Sequence, residues 1–177
     1  MSLLLLIVIA VVVLLAALLA FGATRPATFR VQRTTSIQAP PEKIYPLIND
    51  FHNWGSWSPY EKLDPTMAKT YSGAASGKGA VYEWEGNNKA GKGRMETIGT
   101  SLLSKITIKL DFQKPFEGHN VSEFALDPRG GSTSVTWAMY GPNSLMAKVM
   151  SVFMSMDRLL GKEFENRLVN LKTIAEK

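Results

Sequence analysis

Cysteine is absent from the 177 residues, which removes disulfides, zinc-thiolate sites, iron-sulfur clusters, thiol catalysis and cysteine lipidation from consideration. Histidine is scarce. His52 and His119 are the two present, both in stretches read as loops, and neither has the clustered acids that a metal site needs. No metal and no cofactor are therefore expected. Phosphate-binding loops are missing too: the glycines of GAASGKG and GNNKAGKG punctuate hairpin turns instead of opening a helix, and neither HExxH nor GxSxG occurs. Charge of one sign is also in short supply. The formal net charge is +5, and Lys and Arg are scattered among acids without a basic stripe and interleaved aromatics, so nucleic acid is not an expected partner.

What the chain does have in quantity is apolar sequence at its N-terminus. Leu3 to Phe21 runs without a polar residue. At about 1.5 Å per residue this makes roughly 28 Å of helix, close to the hydrocarbon thickness of a bilayer. A cleaved secretory signal is the competing reading, but it wants a basic leading segment, a shorter apolar core and a small-x-small site. Only the amino terminus is positive ahead of the run, and Phe21 occupies the minus-three position before Ala23. A single-pass anchor over residues 1–24, a linker over 25–28 and one domain over 29–177 is the resulting organisation. Arg25, Arg30 and Arg33 follow the run with no acid among them, and the positive-inside rule places that side in the cytoplasm.

The remainder reads as strand, helix, several strands, helix. FRVQRTTSIQ alternates as a strand, and EKIYPLIND makes a short helix after Pro41, limited by Pro46. Period-two segments then follow, MAKTYSG, AVYEWEG, GRMETIGT, SKITIKLDF, NVSEFALD and STSVTWAMYG, each bounded by turn residues. With the first segment they give about seven antiparallel strands. A last helical pattern is expected from about Asn143 to Ala175, where Leu145, Val149, Phe153, Met156, Leu160, Phe164, Leu168 and Leu171 form one stripe. A sheet with one apolar face and one long helix to cover it is an α+β layer architecture.

Several stretches carry a resemblance: the strand followed by Ala-Pro-Pro-Glu-Lys-Ile-Tyr, the loop from Trp54 to Trp57-Ser58-Pro59, TYSGAASGKGAVYEWEGNNKAGKGRM, the turn Lys114-Pro115-Phe116, TSVTWAMYG and SMDRLLGKEFENRLVNLK. Together they cover nearly all of Phe29 to Lys177, and this region resembles the polyketide cyclase/dehydrase and lipid-transport group of the SRPBCC (START-like, birch-pollen-allergen-like) superfamily. The resemblance implies a helix-grip fold, a curved antiparallel sheet wrapped round the C-terminal helix. It also implies an apolar tunnel that takes a lipid or other hydrophobic small molecule.

Strand parity puts Tyr82 with Trp84, Ile108 with Leu110, and Trp137 with Met139 on inward faces. The last helix adds Met150, Phe153, Met154 and Asp157, in a segment where four of the eight methionines lie between Met146 and Met156. Methionine is pliable and suits a wall against variable apolar ligands, or simple packing on the sheet. Trp54 and Trp57 either plug the core or line the pocket mouth. Asp157 is either an anchor reaching into a cavity or the partner of a nearby Arg or Lys. No residue is given a catalytic role. Three classes stay open: a membrane-tethered carrier or sensor of a hydrophobic ligand, a cyclase or dehydratase-like enzyme, and a regulatory domain with a filled core.

Overall fold

The computed structural model describes residues 2–58 and 64–177. A helix, α1 (Leu3–Ala23), precedes β1 (Thr28–Ile37), α2 (Pro41–Asn49), a 3-10 turn (Phe51–Asn53) and the single-turn α3 (Trp54–Trp57). Strands β2 (Ala68–Gly73), β3 (Ala80–Glu85), β4 (Lys92–Ser101), β5 (Lys105–Lys114), β6 (Gly118–Arg129) and β7 (Ser132–Pro142) follow, and two helices close the chain, α4 (Leu145–Phe153) and α5 (Met156–Ala175).

The strands form one antiparallel sheet in the order β1-β7-β6-β5-β4-β3-β2. A meander of hairpins gives this order directly, except that β1 returns to pair with β7. Register shifts at Lys92/Gly93 and Thr97/Gly99 interrupt the β4–β5 ladder, the kind of irregularity that bends a sheet. The concave face carries the alternate residues that the period-two pattern selects, and α5 lies along it beside β1, with Phe164 stacked on Trp137 of β7. The architecture is α+β, a helix grip.

The terminal helix differs from the unbroken one expected. Met154 is extended (φ −149°, ψ 122°), and Ser155 restarts the chain as an N-cap whose hydroxyl accepts from Arg158 N at 3.2 Å. Ser144 caps α4 in the same manner, accepting from Ala147 N. The break has a packing cause. α5 stays on the sheet, while α4 turns away and packs against α1, where Gly22 lets the backbones approach. A Cβ on Gly22 would sit 2.8 Å from Val149 Cγ2.

Arg33, on the inner face of β1, fixes α5 to the sheet. Its guanidinium lies over Gly161, bonds both oxygens of Asp157 (2.7 and 3.1 Å) and reaches Glu165 at 2.6 Å. Gly161 lies midway between the two acids, four residues from each, so one turn of helix supplies the notch and its neighbours the anions. At the far end of α5, Lys172 donates to Ser36 O (2.8 Å) and Glu176 accepts from Gln38 N. The helix therefore runs with β1, its N-terminus at the end of the sheet where α1 joins.

Candidate functional site

The two tryptophans of the short loop are set by the end of α2. A helix leaves its last carbonyls unpaired. Trp57 Nε1 donates to Leu47 O at 2.8 Å and Trp54 Nε1 to Ile48 O at 2.9 Å, so both indoles close that end. Trp57 is buried in the core with its edge toward Phe124 and Trp137, whereas Trp54 is half-buried between Phe51 and Phe124. Trp137 stacks on Phe164 of α5 with centroids 3.9 Å apart and planes within 7°. Phe124 stacks on the other side of Trp137 at 4.9 Å, so aromatic rings fill the middle of the grip.

Two ends of the interior flank this stack. At one, Ile37, Ile106, Ile108, Phe124, Thr133 and Val135 are all sealed at 0% exposure. At the other, register aligns Tyr82, Met95, Leu110 and Asn120 across four strands, followed by Trp84, Gly93, Phe112 and Gly118. The apolar residues here keep a trace of solvent: Tyr82 and Leu110 are 9% exposed, Met95 7%, Trp84 and Met139 6%, and Phe112 is only half-buried. Gly93 is needed in this row because the Trp84 ring lies directly over its α-carbon, and any side chain there would displace the indole. Trp84 Nε1 is held by Ala90 O (3.0 Å), and Tyr82 stacks along it at 5.9 Å. From α5, Met156 and Leu160 approach as partly buried side chains.

This end is also where α1 joins the sheet. Pairing of Thr28 with Pro142 puts the start of β1 and the end of β7 there, together with the β3–β4 and β5–β6 turns. An open cleft of about 570 Å³ lies on the same rim, lined by Thr28, Phe29, Arg30, Tyr140, Gly141 and Pro142. A smaller hollow of about 140 Å³ sits between α3 and the last turns of α5, against Trp57 and Asn170.

Two of the polar groups facing the interior are used internally, while the Thr97 hydroxyl on the inner face of β4 is buried without a hydrogen-bond partner among the described residues. Ser122 Oγ accepts from Trp137 Nε1 at 2.7 Å, and Thr133 Oγ1 donates to Ala39 O at 2.8 Å. Asp157 points to Arg33, whose hydrogen bonds hold its carboxyl below the usual carboxylate range. Among the described residues no cluster of His, Asp and Glu has metal-binding geometry.

Of the residues singled out from sequence, Tyr82, Trp84 and Leu110 lie at the open end, Met139 sits one row deeper, level with Ile108, and Trp137 lies beyond it. Ile108 and Trp57 are core. Met150 and Met154 are 55% and 42% exposed, because α4 leaves the sheet, and the Phe153 side chain lies outside the described residues. Met95 escaped notice although the parity of β4 (Gly93, Met95, Thr97) selects it. Arg33 was read only as a flanking charge.

A curved antiparallel sheet gripping a C-terminal helix, with an apolar interior less tightly sealed at one end, defines a helix-grip protein of the SRPBCC superfamily. Within that class the chain belongs to the polyketide cyclase/dehydrase and lipid transport family, whose sequence model matches residues 28–176. A crystal structure of a protein from Chromobacterium violaceum is similar with a TM-score of 0.58 at 15% identity, over 86% of this chain and 99% of its own. The solution structure of the Aha1 dimer from Colwellia psychrerythraea matches with a TM-score of 0.57 at 15% identity, over 84% and 96%. Ara h 8.0201 matches with 0.54 at 9% identity, over 84% and 95%. At such identities the likeness is one of fold. No protein of curated function matches the sequence. Helix α1 is long and apolar enough to cross a membrane, a property that signal sequences near an N-terminus share.

Proposed function

We propose that the protein is a membrane-anchored binding domain for a hydrophobic small molecule or lipid, held at the open end of the grip between the sheet and the start of α5. Tyr82, Trp84, Met95, Leu110, Phe112 and Met139 would line the bound molecule, with Met156 and Leu160 opposite. The observation that carries this reading is the uneven sealing of the interior, 0–4% exposure at one end and 6–9% at the other, in a family whose description includes lipid transport. Water finds these apolar side chains, and an apolar ligand would remove it at about 25 cal/mol per Å² covered.

The anchor reading rests on α1, 21 residues or about 31 Å of helix, against a hydrocarbon core of about 30 Å. Arg25 and Arg30 still support a cytoplasmic domain by the positive-inside rule. Arg33 drops out of that argument, since it is neutralised by Asp157 and Glu165.

The test is native mass spectrometry with lipid extraction on the full-length protein, released from its own membranes in a mild detergent. A co-purifying apolar molecule is expected, lost in Leu110→Trp and retained in Val169→Trp, a change on the outer face of α5 where Val169 is 59% exposed. Repeated recovery of empty protein would overturn the binding reading. It would favour instead a regulatory domain whose centre is filled by its own rings, the Phe124-Trp137-Phe164 stack.

A further inference from the structure

Helix α4 packs on α1 through Val149, but neither α1 nor the sheet covers the rest of its described apolar side chains. It is nine residues, LMAKVMSVF, about 13 Å long and far too short to span. None of its described side chains is buried; Leu145 is 56% and Met150 55% exposed, and Met154 and Leu159 just beyond are 42% and 46%. At 100° per residue Leu145, Val149, Val152 and Met150 fall in one arc, and Ala147, Lys148 and Ser151 in the other.

What lies beside α4 fixes its surroundings. Val149 packs on Gly22, the one buried residue of α1, and Leu18, a turn earlier on the same face, is half-buried. Leu18 lies only about 7 Å from the end of the helix at Ala23, so if α1 spans, this contact is at the level of the headgroups and first methylenes. A helix touching it with exposed Leu and Met on one side and Lys148 on the other matches an interfacial helix, with the lysine stem reaching back toward water. Arg158, exposed at the start of α5, adds a second cation beside it.

A separate observation points the same way. The β5–β6 turn, at the same end of the sheet, presents Phe116 at 80% exposure between Pro115 and Glu117, with Lys114 one residue further back and Glu117 paired to His119. The open cleft of Phe29, Arg30 and Tyr140 lies between this turn and α1 on the rim.

From these placements we infer that the rim of the grip is seated on the leaflet that α1 enters, through α4 on one side and the Phe116 turn on the other. The open end then faces lipid. An apolar molecule passes between the acyl chains and the Tyr82–Leu110 wall without crossing bulk water, and α4 supplies the surface it slides past. The inference rests on the anchor reading, and its test separates the two.

The chain has no cysteine, so single cysteines report one site each. The full-length protein would be reconstituted in phosphatidylcholine–phosphatidylglycerol vesicles and labelled with a small fluorophore at Leu145→Cys, Met150→Cys or Phe116→Cys. Val12→Cys marks the span, and Lys109→Cys, on the outer face of β5, marks water. Lipids brominated high on the acyl chain should quench Leu145, Met150 and Phe116 labels several-fold more than the Lys109 label, and aqueous iodide should do the reverse. If the Val12 label is in lipid while the other three behave like Lys109, the docking inference is overturned and the anchor stands. Labels on α4 shielded from both quenchers mean a protein covers it, which also overturns the inference. A Val12 label open to iodide removes the anchor and the docking together. Three independent exposed sites keep the test decisive if one variant folds poorly.

Discussion

The two ends of the grip are built from the same strands, yet one is finished and the other is not. Around Ile106 and Ile108 of β5 and Val135 of β7, with Phe124 of β6 between them, the side chains are covered and leave no solvent contact. Around Leu110, Phe112 and Trp84, larger side chains pack on one another and on Tyr82, and at this end of α5 Met156 and Leu160 are only partly buried. The helix that continued sequence periodicity would have placed over this end instead turns aside to α1. A single-domain core of this size normally closes on all sides. One end left loose, beside an apolar helix of membrane-spanning length, favours the proposed container over a plug.

The comparison can be broken by unequal costs of truncation. Trp137→Ala removes the ring shared by Phe124 and Phe164 and should destabilise by about 3–5 kcal/mol, whereas Leu110→Ala, at a side chain that keeps 9% of its surface exposed, should cost nearer 2 kcal/mol. Urea unfolding of the full-length protein in detergent would measure both. Equal costs would mean the two ends are equally closed.

Next in size is the clamp that positions α5. Arg33→Met or Gly161→Leu should lower the unfolding midpoint by less than Trp137→Ala, but should raise hydrogen exchange in the first turns of α5 ahead of its last turns. In Gly161→Leu the added side chain takes the place of the guanidinium and frees Asp157 and Glu165. Uniform exchange along α5 in either variant would contradict the clamp.

Smaller still is a pH effect on the outer face near the open rim. Asp111 Oδ1 meets His119 Nδ1 at 2.7 Å and Lys109 Nζ approaches the other oxygen. The hydrogen bond to Asp111 raises the His119 pKa, while partial burial of Asp111, which pushes its own carboxyl up, is outweighed by His119 and Lys109, leaving it lowered. The histidine's contribution is complete below its unfolded value of about 6.5 and fades as pH rises through its higher folded value. The aspartate's is present above about 3.9 and fades as pH falls through its lowered one. Wild type should therefore exceed His119→Asn in thermal midpoint most between about pH 4.5 and 6.5, with the gap closing as pH rises above that window. A gap that widens at alkaline pH would refute the pairing.

Much of this was legible in the chain. Period-two segments with hairpin punctuation gave each strand, and β7 parity gave Val135, Trp137 and Met139 their inward direction. The terminal stripe foretold Phe164, Leu168 and Leu171 under the sheet, because these face one side at 3.6 residues per turn. It overreached at Met154-Ser155, where an uninterrupted apolar stripe concealed a new N-cap; Ser155, three residues ahead of the backbone donor it satisfies, was the visible signal. Asp157 was read with its pairing alternative open, but its partner, Arg33, is 124 residues away, and no local pattern specifies such a contact. The roles of Trp54 and Trp57 likewise depended on where α2 ends, since free carbonyls at Leu47 and Ile48 are what the indoles seek.

The most direct test of the central claim uses the protein's own leucines and methionines. Cells producing the full-length chain would be grown with photo-leucine and photo-methionine, which carry a diazirine at nearly unchanged volume, then irradiated, and the peptides mapped by mass. The account predicts adducts of a small apolar molecule at Met95, Leu110 and Met139, and none at Leu126, Leu168 and Leu171 in the sealed end. Unmodified peptides at the first three, or adducts spread equally over both sets, would contradict it.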